Sequence, residues 1–186
     1  MIRVSIIDRA TPALRQILAR ARPEQVHKVA AFGVRNLVRD HLAALNQKPN
    51  KRGWKKTQFY AQARRAVTAR ASTSAGIVEI SKEGFAQRLY GGPIRPVNTR
   101  ALTIPALAIA YGRRAREFTN LQFRPINRGN LVGLLYRKTD QGPVTLYWLV
   151  KRVMQQPDPT VLPTNDEMAT AAVKAVEDNL APLLDR

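Results

Sequence analysis

Between Glu24 and Gln47 apolar residues recur every three or four positions (Val26, Val29, Ala30, Gly33, Leu37, Val38, Leu45), while Lys28, Arg35 and Arg39 gather on another side. That spacing predicts one long amphipathic helix whose stripe is buried. A shorter helix is expected before it, with Thr11 as cap, Pro12 at the first helical position and Leu14, Ile17 and Leu18 as its apolar residues up to Arg20. Pro23 ends the first helix or starts the second.

Downstream the period changes. A helix is expected from Thr57 to about Ala69, exposing Arg64, Arg65 and Arg70, and then a strand within Ser72 to Ser81, where Ile77, Val78 and Ile80 sit among small and polar residues. Leu102-Thr103-Ile104 is a short β-prone run stopped by Pro105. Leu131 to Arg137 and Val144 to Val150 predict two strands joined by Lys138–Pro143, whose Asp, Gly and Pro suit a hairpin. Thr164-Asn165-Asp166-Glu167 forms a capping box ahead of Met168, Ala172, Val176, Leu180 and Leu184, so residues 164–184 are read as a terminal helix. Helices first, then a mainly antiparallel β-sheet, then a C-terminal helix describe an α+β fold, and 186 residues fit a single domain over 1–186.

Charge narrows the partners. The chain has 31 Lys and Arg against 13 Asp and Glu, a net charge of +18. Residues 161–186 are net acidic (Asp166, Glu167, Glu177, Asp178 and Asp185 against Lys174 and Arg186), so the excess lies in the first 160 residues. Such an excess marks a protein that meets a polyanion, nucleic acid sooner than a membrane surface. Lys48, Lys51, Arg52, Lys55 and Lys56 surround Trp54 in a Pro- and Gly-broken segment, residues 48–56, expected as an exposed loop that either grips phosphates while the indole stacks or is the solvated loop usual on a very basic protein. Arg64 and Arg65 add to it, and Arg113, Arg114 and Arg116 form a second basic knot. No helix-turn-helix, zinc-finger or RNA-recognition pattern accompanies them, which argues against base-specific reading.

Catalysis finds no constellation. The absence of cysteine excludes disulfides, thiolate metal sites and a cysteine nucleophile, and agrees with synthesis in a reducing cytoplasm. His27 and His41 lie about 21 Å apart along one helix at ~1.5 Å per residue, too far to share a metal, so both are read as structural or surface residues rather than a catalytic base. The acids of residues 1–160 are scattered, whereas two-metal phosphodiester chemistry needs several carboxylates on one site. Gly91-Gly92 lacks the following Gly-Lys-Ser/Thr of a phosphate loop, and Pro93 removes a backbone donor. The N-terminal apolar patch, Ile2 to Ile7, is too short for a signal-peptide core, and Ala101 to Tyr111 is about half the ~20 residues a membrane span needs. The expectation is a soluble, non-enzymatic protein without cofactor or metal.

The segment Phe85 to Pro105 has a more particular pattern. Tyr90-Gly91-Gly92-Pro93-Ile94-Arg95-Pro96 leads through a basic turn into Leu102-Thr103-Ile104-Pro105, and Tyr147-Trp148-Leu149-Val150, Pro157-Asp158-Pro159 and Leu162-Pro163 precede the capped helix. Over roughly residues 75–184 this resembles the small virion-morphogenesis, minor-tail or tail-completion proteins of tailed bacteriophages. Leu89-Tyr90 stand where that family often has a histidine. The resemblance implies a structural virion protein at the neck or upper tail, needed for assembly. It implies a homo-oligomeric ring, usually sixfold, around the DNA channel, beside tail-tube, tail-terminator or head-connector proteins. The alternative from charge alone is a non-sequence-specific nucleic-acid-binding module. In backbone terms the Gly-Gly-Pro run is either an edge presented to a neighbour or a rigid turn inside one fold.

Overall fold

The computed structural model describes residues 18, 19, 21–50 and 52–184. The helix expected over Thr11–Arg20 lies outside the described residues except for Leu18 and Ala19, which are helical. The long helix, α1, runs over Pro23–Gln47 with its proline at the first position, where no backbone donor is needed. Its deepest residues are Ala31, Val38 and Leu42. The buried centre is therefore displaced by about one residue from the stripe read off the sequence, since Ala31 and Leu42 outrank Ala30 and Leu45.

The chain forms an α+β fold in two compact units, each assembled from separate stretches. The first takes in the described residues of Met1–Leu45, Tyr60–Lys82 and Thr160–Arg186. In it the terminal helix, α4 (Asn165–Leu184), packs on α1. The two helices meet at Gly33, where a Cβ would stand 2.6 Å from both the Ala171 carbonyl oxygen and the Ala175 Cβ. Only a residue without a side chain permits that approach.

A hairpin completes this unit. Helix α2 (Phe59–Arg65) ends well before the Ala69 expected from sequence, and β1 (Val67–Ala71) pairs antiparallel with β2 (Gly76–Ile80). The β-branched pair Val67-Thr68 favours strand, and pairing places buried Val67 opposite Ile80, a gain that helix propagation through Ala69 could not offer. Ser72 closes the turn with bonds to Ala75, and the His27 Nδ1–H donates to the Ser72 carbonyl at 3.0 Å, tying the hairpin to α1. His41 likewise donates from Nε2 to the Thr160 carbonyl at 2.9 Å.

The second unit, Asn46–Phe59 with Glu83–Pro159, is built on sheets. After the short helix α3 (Phe85–Tyr90), β3 (Gly92–Ile94) pairs with β8 (Val153–Gln155). The larger sheet is antiparallel throughout, in the order β4 (Leu102–Pro105), β7 (Gly142–Val150), β6 (Leu131–Thr139), β5 (Gln122–Arg128). The β6–β7 hairpin is tighter than expected, because Lys138 and Thr139 pair with Pro143 and Gly142 and leave only Asp140-Gln141 as the loop.

A β-bulge shapes the core of this unit. Pairing passes from Leu135↔Tyr147 to Tyr136↔Thr145, so Leu146 is the extra residue and both Leu146 and Tyr147 are buried. Around them pack Ala110, Ala115, Phe118, Leu121, Leu135 and Val144. The Tyr147 hydroxyl donates toward the carbonyls of Ala110 (3.2 Å) and Arg113 (3.0 Å), which pins the turn between two 3₁₀ segments, Ala108–Ala110 and Ala115–Glu117.

Candidate nucleic-acid interface and assembly motif

Several described residues of the basic segment are held by local contacts. The Asn50 side chain accepts from the Arg52 amide at 2.9 Å and the Asn50 carbonyl accepts from the Gly53 amide at 2.8 Å. Lys48, Arg52 and Lys55 are exposed, and Lys51 lies outside the described residues. Lys56 differs from them, because its ammonium donates to the carbonyls of Asn46 (3.0 Å) and Gln47 (2.8 Å). Helix α1 has no basic residue in its last turn, so Lys56 supplies the cation that satisfies its C-terminal carbonyls.

Trp54 is half-buried. Its ring meets Tyr111 edge-on at 5.2 Å, and the Arg52 guanidinium stands 5.0 Å over the indole. This contact brings the loop to the start of the second basic knot. There Arg113 lies 4.1 Å over the Phe118 ring and pairs with Glu117 at 3.4 Å. The Glu117 carboxylate also accepts the Arg114 backbone N–H, and this bond, with Arg113 beside it, holds its pKa below the ordinary 4.5. Arg114 and Arg116 are exposed. The Trp54–Tyr111 contact thus joins two basic segments that lie far apart in sequence, and in the second of them Arg113 is partly neutralised by Glu117. Arg64 and Arg65 are exposed at the end of α2 in the first unit.

The Gly-Gly-Pro motif is a turn fastened inside the fold. Gly91 and Gly92 have φ of +70° and +107°, conformations that side chains rarely adopt. The Gln87 side-chain amide donates to both their carbonyls, at 2.8 and 3.1 Å. Pro93 and Ile94 continue into β3, which pairs with β8 alone. Tyr90 is 77% exposed, Pro93 and Arg95 are exposed, and Ile94 and Pro96 are half-buried. The rigid turn and the displayed residues therefore coexist in one segment.

Among the described residues no three His, Asp or Glu side chains come together as a metal site, and no helix is long and apolar enough to cross a membrane. The sequence reading missed one surface. Along β5 every residue is exposed, including Phe123, Arg124, Ile126 and Arg128, and nearby Trp148 is 40% and Met154 60% exposed. Trp148, Leu149 and Val150 are apolar in succession, so the sequence does not show which of them face outward; that depends on the other strands. No protein-family model, no curated protein and no solved structure matches this chain.

Proposed function

We propose that this chain is a structural virion protein of a long-tailed bacteriophage, a tail-completion or neck component that forms a ring at the head–tail junction around the DNA channel. The Trp54–Tyr111 contact carries the reading, because it joins the loop of Lys48, Arg52 and Lys55 to Arg114 and Arg116 in one cationic surface suited to a polyanion. The resemblance of Tyr90–Pro96 and of the stretch after Tyr147 to tail-completion proteins supplies the setting. A ring lining a channel multiplies the subunit's charge, and DNA screens the resulting repulsion. The role is architectural, with no catalytic step.

The same surface favours a second reading, a non-sequence-specific nucleic-acid-binding module. Light scattering on the purified chain without and with duplex DNA separates the two. A particle of fixed, several-subunit size without DNA is expected for the ring. A monomer that binds duplex tightly would transfer the proposal to the module. Incubation with linear and supercoiled DNA plus magnesium or manganese should leave both intact, and divalent-dependent cleavage would overturn both non-enzymatic readings.

A further inference from the structure

The face of the four-stranded sheet that the described residues leave open has an ordered chemistry. Ile104, Trp148, Leu134 and Arg124 are direct partners across β4, β7, β6 and β5, and Leu102, Val150, Leu131 and Arg128 form the next row. Residues directly opposite one another share a face, so this side is apolar across three strands and basic on the outer one. A hollow of about 670 Å³ opens on it, lined by Ile104, Leu131, Trp148, Val150 and Met154 with Arg152 among them. Exposed apolar surface rimmed by charge marks an interaction site.

The chain also carries an exposed helix face of opposite sign with an apolar residue at its middle. Helix α4 turns Ala171 and Ala175 toward α1, and Asp166, Thr170, Val173 and Glu177, at spacings of four, three and four, form an exposed line. Val173, 57% exposed, is the single large apolar side chain exposed on the described part of α4. Glu167 is occupied by the Thr164 cap and Asp178 pairs with Lys174 at 3.7 Å, so Asp166 and Glu177 are the acids that flank Val173 along this line.

We infer that the sheet face of one copy receives α4 of a second copy, with Val173 seated in the hollow and Asp166 and Glu177 facing Arg124, Arg128 and Arg152. This inference rests on the ring reading and names its subunit contact. Helix in groove is a recurrent recognition mode, and the opposite charges select orientation. Because the two surfaces differ, the contact is heterologous, the kind that closes into a ring when each subunit rotates relative to the last.

Full-length chains with Met154→Glu or Val173→Glu test it, both at exposed positions and both checked for an unchanged melting temperature. In light scattering each variant alone should fall from ring to monomer, while Met154→Leu and Val173→Ile keep the ring. An equimolar mixture of the two Glu variants should give a heterodimer, since one retains the helix and the other the face. If either Glu variant melts early, Arg152→Glu and Glu177→Lys replace them: each should raise the concentration for half-assembly on the order of tenfold, and both in one chain should restore it. Variants that still form full rings, or a mixture that stays monomeric, would overturn the docking and leave the ring reading standing. A monomeric wild type would overturn both.

Discussion

Gly91 and Pro157 stand so close that a methyl group does not fit between them: a Cβ on Gly91 would lie 2.7 Å from the Pro157 nitrogen and equally close to the Gln155 carbonyl oxygen. Both are backbone atoms that cannot rotate away. The turn that carries the Tyr90–Pro96 motif is thus held against the segment that follows β8.

Gly91→Ala should accordingly cost more than Gly92→Ala. The first adds a backbone clash to the strain of a φ of +70°, whereas at Gly92 the nearest atom to a new Cβ is the mobile Gln87 amide at 3.7 Å. We expect Gly91→Ala to lose roughly 3 kcal/mol, a fall on the order of 10 °C in Tm. Thermal melts of both variants check the order, and equal losses would assign the cost to φ alone.

Gly33→Ala should reverse the usual rule for helices. In an open helix this change stabilises by about 1 kcal/mol. Here the methyl would enter the contact with Ala171 and Ala175, and overpacking should cost about 1–3 kcal/mol instead. Denaturant titration gives the sign directly.

Tyr147→Phe removes the donor to the Ala110 and Arg113 carbonyls and should cost about 1–2 kcal/mol. Burial, and then the nearby Glu117 carboxylate, raise the Tyr147 pKa above 10.0. Its contribution is therefore complete below the unfolded value and lost as pH rises through the folded one. Melting between pH 8 and 11 should fall less steeply in the Phe variant than in the wild type.

Glu167 works at the acid end. Its carboxylate accepts from the Thr164 amide and hydroxyl at 2.7 and 2.9 Å, which lowers its pKa below 4.5. Its contribution is present above the unfolded value and lost as pH falls through the folded one. Glu167→Gln keeps an acceptor without the charge, so its melting temperature should be lower at pH 7 and its loss between pH 5 and 2 shallower.

Within the basic loop the positions should separate by role. Replacing Lys48, Lys51, Arg52 and Lys55 by Gln should flatten the salt dependence of duplex binding by about 0.9 in log–log slope for each phosphate no longer neutralised. Lys56→Gln should leave that slope nearly unchanged and lower the melting temperature, because its ammonium caps α1. A full slope change from Lys56 alone would place its charge on DNA.

Sequence alone determined what short-range physics decides. The apolar period of Glu24–Gln47, the Thr164–Glu167 box and the turn residues between Lys138 and Pro143 encode α1, the start of α4 and the β6–β7 hairpin, each within a few neighbouring residues. Only the tertiary structure decided the rest. Val67-Thr68 become strand because Ile80 and Glu79 lie across from them, and β5 has no readable alternation because its residues are exposed on both sides. Lys56 reads as one cation among five until the carbonyls of Asn46 and Gln47 claim it, and nothing local joins Trp54 to Tyr111. Composition counts charges, but the fold chooses which of them are neutralised at home and which remain for a partner, because that choice depends on distances between residues remote in sequence.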